Sequence, residues 1–489
     1  MSARANLSRR PPGSACAFAV AKAVLVAITL SAASNGRPSD VPPSALLAAY
    51  VVLGADGQML ARAIVSSAAC PDVMVDGLAQ PMRTRAAPGT PPRRPNQTIA
   101  SAFPVRVCEA TLAPTAARAS IGDRTLPLAR AAPQRIVVIG DTGCRLKRSE
   151  QAYQDCSDPD AWPFPAVAEA AAKERPDLVV HVGDYHYRES ACPLTRGCAN
   201  SAWGYGWSAW NADLFAPAQG LLAAAPWVVA RGNHEECARA GQGWFRMLDA
   251  GPFTPLRSCD GSENDGSADF SDPYAVPLGD NWQLVVFDSA MASRPLDLSR
   301  PSDVLALDRY QENMRLVAAL AAVPSMHTIF VGHHPVLGLS PDRRSGVTMG
   351  NQLLLAAMVP SSGTRYFPAG VELALHGHVH LFEAISFSSP QPATIVSGHG
   401  GDNLEVPLPE PLPARLGSVE GVTVDFVAHA RSFGYLVMDR RPDGWVLRAQ
   451  SLAGSTLVVC TLVNARLSCA KHGLLNPAAE LSAIPADDR

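Results

Sequence analysis

Short apolar runs rich in Val and Ile recur along the chain, separated by polar breaks marked with Gly, Pro, Asn and Asp. Five stand out: Arg135-Ile-Val-Val-Ile139, Asp177-Leu-Val-Val-His181, Pro226-Trp-Val-Val-Ala230, His327-Thr-Ile-Phe-Val331 and Val371-Glu-Leu-Ala-Leu375. Their length, β-branching and flanking turn residues predict buried strands. Trp282-Gln-Leu-Val-Val-Phe287 predicts another. Between them, Pro165 to Glu174 is alanine-rich with a helical period and stops at Pro176, and Asp303 to Ala322 reads as an amphipathic helix ending before Pro324. Strands alternating with helices predict an α/β class. Later strand-like runs at 384–387, 393–396, 435–438, 445–447 and 456–459 are expected to complete a second sheet. Residues 46–133 have a different texture. Alternating runs at 49–53, 61–65 and 103–108 are broken by Asp56-Gly57 and a proline-rich patch, Pro88 to Pro95, with no long helical period. They predict a small N-terminal β domain. The expected division is therefore a linker at 34–45, the β domain at 46–133, a main domain at 134–471 and a loose tail at 472–489.

Each of the five strands runs into a glycine and then into an Asp, Asn or His. The stretches are Gly140-Asp141-Thr142-Gly143, Gly183-Asp184-Tyr185-His186-Tyr187, Gly232-Asn233-His234-Glu235, Gly332-His333-His334 and Gly377-His378-Val379-His380. Taken singly, such pairs are turn chemistry. Five in order, each after a strand, place these side chains on the carboxyl rim of a sheet, where open α/β folds bind ligands. The donors are carboxylate, amide oxygen, phenol and imidazole, a set that suits iron, zinc or manganese. A carboxylate such as Asp184 has two oxygens and can bridge two cations, and two-metal sites clamp phosphate for in-line attack by water.

These stretches resemble the calcineurin-like metallophosphoesterases and, among them, the purple acid phosphatases. That subgroup has Gly-Asp-x-Gly where most relatives have Asp-x-His, and a tyrosine three residues after the second aspartate, matched here by Tyr187. Trp207-Ser-Ala-Trp210 with Phe215, and Gly398-His-Gly-Gly401 with Leu404-Glu405, are similar to plant-type members. The resemblance covers residues 134 to 405. It implies a four-layer αββα sandwich, with the small N-terminal β domain standing where plant-type members carry a fibronectin-like sandwich. It further implies two metal ions. Asp141, Tyr187 and His380 would hold the first, Asp184 would bridge, and Asn233, His333 and His378 would hold the second. A phenolate favours Fe(3+) at the first site, with Fe(2+), Zn(2+) or Mn(2+) at the second. By the same resemblance His234 contacts phosphate and helps the leaving oxygen, as general acid or hydrogen-bond donor. His186 and His334, beside ligands, are expected to orient the site.

One departure is visible. Plant-type members have histidines about ten residues beyond the position of His333, where this chain has Asp342-Arg343-Arg344, so Arg343 and Arg344 become candidates to clamp phosphate. The activity implied is hydrolysis of phosphomonoesters by metal-activated hydroxide, with a small-molecule phosphate ester as the partner. A phosphodiesterase or nucleotidase would use the same site. A secreted metal-binding or adhesion protein with a decayed site is a reading of another class, and the complete set of motif ligands argues against it.

Composition adds the compartment. Hydrophobic content of 47% and charged content of 17% describe a folded globular chain. The first residues carry Arg4, Arg9, Arg10 and Lys22 with no acid, then an apolar run, Ala23 to Leu30, and Ser31-Ala32-Ala33. This predicts a signal peptide over 1–33 and export to the periplasm or beyond. Its loss would remove four positive charges and take the net charge from −3 to −7, and nothing in that balance suggests nucleic-acid binding. No later run reaches the ~18 apolar residues of a membrane span. Of eleven cysteines, ten lie beyond the signal and fall into neighbouring pairs: Cys70 with Cys108, Cys144 with Cys156, Cys192 with Cys198, Cys237 with Cys259, and Cys460 with Cys469. In an exported chain these are expected to be five sequential disulfides. Arg188 to Trp210 reads as an aromatic insertion over the rim, with Trp210 as core packing. Residues 255–273 read as a solvated acidic loop without EF-hand spacing. The sequence sets no oligomeric state.

Overall fold

Alternation within each buried strand sends its side chains into two different cores. In Arg135–Ile139, Ile136 and Val138 face one way and Val137 and Ile139 the other. The computed structural model describes residues 45–470 apart from 294, 343–345, 359–364 and 414–418. The expected signal peptide, residues 34–44 of the expected linker and the expected tail lie outside the described residues. So do Arg343 and Arg344.

Two large sheets face each other across one apolar layer. Among the described residues the first sheet has eleven strands. Its middle is parallel, with Arg135–Ile139 beside Leu178–His181 and then Trp227–Val229. The second has seven, with Trp282–Phe287, His327–Gly332, Val371–His376 and Ala393–Ser397 parallel in that order. Ile136, Val138 and Val180 of the first sheet share a core with Leu284, Ile329, Leu373 and Ile395 of the second. The outer face of the first sheet is covered by the helices Phe164–Lys173 and Gln219–Ala224. The outer face of the second is covered by Pro301–Ala321 through Ala306, Tyr310 and Val317. The result is a helix–sheet–sheet–helix sandwich, the four layers expected from the sequence. No helix among the described residues is long and apolar enough to cross a membrane.

The structure differs from the sequence expectations in three places. The stretch 46–133 is rich in strand, yet it is continuous with the main body. Leu46–Leu53 pairs in parallel with Trp227–Val229 through Val52 and Trp227, and Met59–Val65, Arg106–Leu112 and Arg83–Ala86 extend the same sheet. Two buried arginines tie it further. Arg62 and Arg85 reach Phe245 O, Arg246 O, Met247 O and Asp249 O at the end of the helix Gly241–Met247. Those carbonyls have no partner within their own helix, so the guanidiniums act as its cap. Second, Gly434–Arg441, Gly444–Ser451 and Thr456–Val463 join the first sheet, through Leu436 opposite Val138, and not the second. Third, the acids of 255–273 are not merely solvated: Asp260 pairs with Arg246, Asp265 with Arg94 and Asp269 with Arg231. All five expected disulfides are present.

Candidate metal centre

The five motif strands end on one side of the sandwich, and the residues after them turn inward. Three of those residues, Asp141 (φ 56°), Asp184 (φ 56°) and His378 (φ 69°), take the left-handed backbone conformation. Residues with a side chain adopt it rarely, and such strain concentrates at functional sites. Two glycines make the room. A Cβ on Gly183 would lie 2.5 Å from His333 Nδ1, and one on Gly232 would lie 2.1 Å from Asp184 Oδ1.

Asp184 stands at the centre. Its Oδ2 lies 2.9 Å from the Tyr187 hydroxyl and 3.1 Å from His333 Nε2, while its Oδ1 accepts the His234 backbone N–H at 2.8 Å. On one side, Tyr187 OH is 3.0 Å from Asp141 Oδ1 and 3.1 Å from His380 Nε2. On the other, His333 Nε2 is 3.2 Å from Asn233 Oδ1, and the His333 and His378 rings are 5.3 Å apart. The structure thus brings Asp141, Asp184, Tyr187, Asn233, His333, His378 and His380 together. It also brings in His334, whose ring lies 4.2 Å from that of His378 and whose Nε2 has no hydrogen-bond partner among the described residues, while its Nδ1 faces Ser289 Oγ at 3.1 Å. His186 turns away: its Nε2 lies 2.9 Å from Gly204 O in the aromatic insertion, and its ring packs on Tyr205 and Trp210. Trp210 is fully buried.

The donor set fits a pair of cations. His333 Nδ1 faces Val182 O at 2.9 Å and His380 Nδ1 faces Asn403 O at 2.8 Å. Each backbone carbonyl holds the Nδ1 proton and leaves the Nε2 lone pair directed at the carboxylates, as in imidazoles that bind metal. Electrostatics point the same way. Burial lowers the basicity of His333, but Asp184 and Asp141 outweigh it and push the imidazole up to about 9. Burial and the charge of His333 push His378 down to about 3. Burial, then Asp141 and Asp184, push the Tyr187 phenol well above its ordinary range. Divalent or trivalent cations would replace the protons that such a cluster otherwise retains.

His234 sits over Tyr187, the ring centroids 3.8 Å apart. Its Nδ1 is surrounded by His186 O (3.0 Å), Glu189 Oε1 (2.9 Å) and Arg239 Nη2 (2.6 Å), which fixes the ring and leaves Nε2 toward Asp184 at 3.9 Å. Burial, then Arg239, lowers this imidazole to about 4. Glu235 does not hold His234. Its carboxylate accepts the backbone N–H groups of Gly232, Asp184, Tyr185 and His186 and so ties the second motif turn to the third.

Four positioning groups carried no recognisable signal in the sequence. Glu189 and Arg239 hold His234. Asp213 accepts from the N–H groups of Cys144, Tyr187 and Arg188, joining the first two motif loops. Asp402 pairs with Arg145, whose guanidinium lies 4.9 Å over the Tyr187 ring. Three disulfides brace the same loops: Cys144–Cys156 follows Gly143, Cys192–Cys198 lies in the insertion, and Cys237–Cys259 follows His234.

The model of the calcineurin-like phosphoesterase family matches residues 134–382. No curated protein matches the chain. Among solved structures, the purple acid phosphatase PPD1 from yellow lupin (Lupinus luteus) seeds superposes with a TM-score of 0.51 at 16% identity, covering 83% of this chain and 72% of that one. A structure of PhoD superposes with a TM-score of 0.51 at 13% identity, covering 88% and 92% respectively. At these identities both likenesses are of fold.

Proposed function

The chain belongs to the calcineurin-like phosphoesterase family of metal-dependent phosphoester hydrolases, and from that premise we propose an exported phosphomonoesterase of the acid-phosphatase type. The observation that carries the reading is the Asp184 carboxylate, set between Asp141, Tyr187 and His380 on one side and Asn233, His333 and His378 on the other. These residues would hold two cations, which when bound supply Lewis acidity and an activated nucleophile. Tyr187 is a hard anionic donor once deprotonated and favours Fe(3+) at the first site; the second suits Fe(2+), Zn(2+) or Mn(2+).

The chain's own groups do the rest. Asn233 adds an oxygen without adding charge and keeps the centre electrophilic. Arg239 and Glu189 fix His234 at Nδ1, so its Nε2 is free to hydrogen-bond the phosphate and the departing oxygen. Burial of the donors excludes bulk water and strengthens each of these interactions. Five disulfides support an oxidising destination.

The test is a substrate pair with metal analysis. Purified protein is expected to hydrolyse p-nitrophenyl phosphate in preference to bis-p-nitrophenyl phosphate, to contain two metal ions per chain, and to lose activity in Asp184→Ala. A preference for the diester would move the assignment to a phosphodiesterase. A protein that carries both metals and cleaves neither ester would refute it.

A further inference from the structure

Arg145 lies two residues beyond the first motif, and its backbone is anchored on both sides. Its N–H donates to Gln154 Oε1 at 2.9 Å, and its carbonyl accepts the Gln154 N–H at 2.8 Å. The next residue, Leu146, donates its N–H to Tyr187 O at 3.0 Å. The root of the arginine is thereby held beside the tyrosine. Its guanidinium carbon lies 4.9 Å from the centroid of the Tyr187 ring, within the reach of a cation–π contact.

The other edge of the guanidinium is taken by Asp402. Arg145 Nε donates to Asp402 Oδ1 at 3.0 Å and to Oδ2 at 2.9 Å, and Nη2 pairs with the same carboxylate. The Asp402 side chain is fully buried, while that of Arg145 is 15% exposed. Asp402 also reaches the two other residues assigned to the first metal alone. Its backbone N–H donates to Asp141 O at 2.9 Å, and its Oδ2 lies 3.6 Å from His380 Nδ1, which faces the carbonyl of the next residue, Asn403, at 2.8 Å. One ion pair therefore touches Tyr187, Asp141 and His380. Among the described residues neither of its members hydrogen-bonds Asn233, His333 or His378.

The charge of Arg145 is already matched by Asp402 and by Glu150, whose Oε2 is 2.7 Å from Nη1. Its effect on the tyrosine is then one of placement more than of net charge. A planar guanidinium can fork onto a carboxylate at its edge while its face packs on a ring, and an ammonium cannot do both. We propose that Arg145, locked by Asp402, is a positioning residue for the first metal alone. It sets the Tyr187 phenol and the His380 imidazole in place and leaves the ligands of the second metal untouched. The inference rests on the two-metal reading of the centre and not on the choice of substrate.

The experiment follows metal retention in the whole protein as purified. Wild type, Arg145→Gln, Asp402→Asn and the double variant are dialysed against graded EDTA, and metal per chain is counted by elemental analysis. Arg145→Gln is expected to release one metal at EDTA concentrations at least ~10-fold lower than wild type and to hold the other as wild type does. Asp402→Asn is expected to release the same metal, and the double variant no sooner than the weaker single one, because the pair acts as a unit. In His378→Ala, which weakens the second position, Arg145→Gln is expected to free the metal that remains. Arg145→Lys keeps the charge without the plane and is expected not to restore retention. The visible band of a metal-bound Tyr187 phenolate is expected to move in Arg145→Gln, a change that loosened packing elsewhere does not produce; in a colourless protein retention alone decides. Equal loss of both metals, retention equal to wild type, or full retention in Arg145→Lys overturns the proposal. So does a wild type with fewer than two metals, which ends the two-metal reading as well. A protein that holds both metals and cleaves neither ester refutes the phosphoesterase reading alone, and retention still decides the role of Arg145. Should Arg145→Gln fail to fold by circular dichroism, Asp402→Asn, which keeps the shape of the side chain, decides the matter.

Discussion

Replacing Glu109 tests whether the N-terminal strands are part of the catalytic body. Its Oε2 accepts from Arg62 Nε (3.1 Å), Arg62 Nη2 (3.0 Å) and Arg85 Nη1 (2.9 Å), and its Oε1 accepts from Arg83 Nη2 (3.0 Å). The side chains of Arg62 and Arg85 are 0% and 2% exposed, while that of Arg83 is 73% exposed. Glu109→Gln leaves one oxygen for the two buried guanidiniums and turns its NH2 toward Arg83, which can swing into water. The loss is then mainly one of charge, with Asp249, 3.7 Å from Arg85, as the remaining carboxylate. Removing one partner of a buried ion pair costs roughly 3–5 kcal/mol, with Gln expected near the lower figure and Ala, which also empties space and strands the donors, near the upper. Either is a large part of the ~5–15 kcal/mol that holds a domain folded. The assay is urea unfolding of wild type and both variants, followed across pH. Burial pushes the Glu109 carboxyl up, but Arg62 and Arg85 outweigh it and hold the group below 4.5. A carboxyl with a depressed native pKa contributes stability above its unfolded value and loses it as pH falls through the native one. The gap between wild type and Glu109→Gln is therefore expected to be full at neutral pH and to close in acid, below about pH 4.5. A difference under ~0.5 kcal/mol at neutral pH, the level of an ordinary surface change, would refute the reasoning. So would a gap that does not move with pH.

Three further outcomes concern the metal centre. Tyr187→Phe is expected to abolish a visible absorption band that the purified wild type shows, and to lower metal affinity at least ~10-fold; a colourless wild type active with zinc or manganese alone would withdraw iron from the first site. His234→Ala is expected to lower turnover by roughly 10²–10⁴-fold with metal content unchanged, and near-normal turnover would pass the leaving-group role to another residue. Gly232→Ala drives a methyl group to 2.1 Å from Asp184 Oδ1, and a displacement of about 1 Å at the central carboxylate is expected to cost ~10²-fold in turnover, read beside metal content by elemental analysis.

Local signals carried most of the site. Each motif couples a β-branched run to a glycine and a ligand type within a few residues, so strand, turn and donor are read together. The disulfides were legible for the same reason, since their partners are close in sequence and separated by 6 to 38 residues. Asp213, Asp402, Glu189 and Arg239 were not. Each acts on groups brought near by the fold, through backbone N–H groups or another side chain, and an aspartate that caps a distant loop looks in sequence like any loop aspartate.

Sequence by itself determined the strand and helix periods, the order of the seven motif donors and the family they belong to, because these depend on neighbours along the chain. Tertiary structure alone decided which sheet each late strand joins. A strand's alternation shows that it has a face to bury and says nothing of the partner: Leu436 could have paired anywhere, and the register opposite Val138 places it. Tertiary structure also decided that Leu46–Leu53, Met59–Val65, Arg83–Ala86 and Arg106–Leu112 continue the first sheet and that Arg62 and Arg85 cap the helix Gly241–Met247. Sequence periodicity does not measure distance through space.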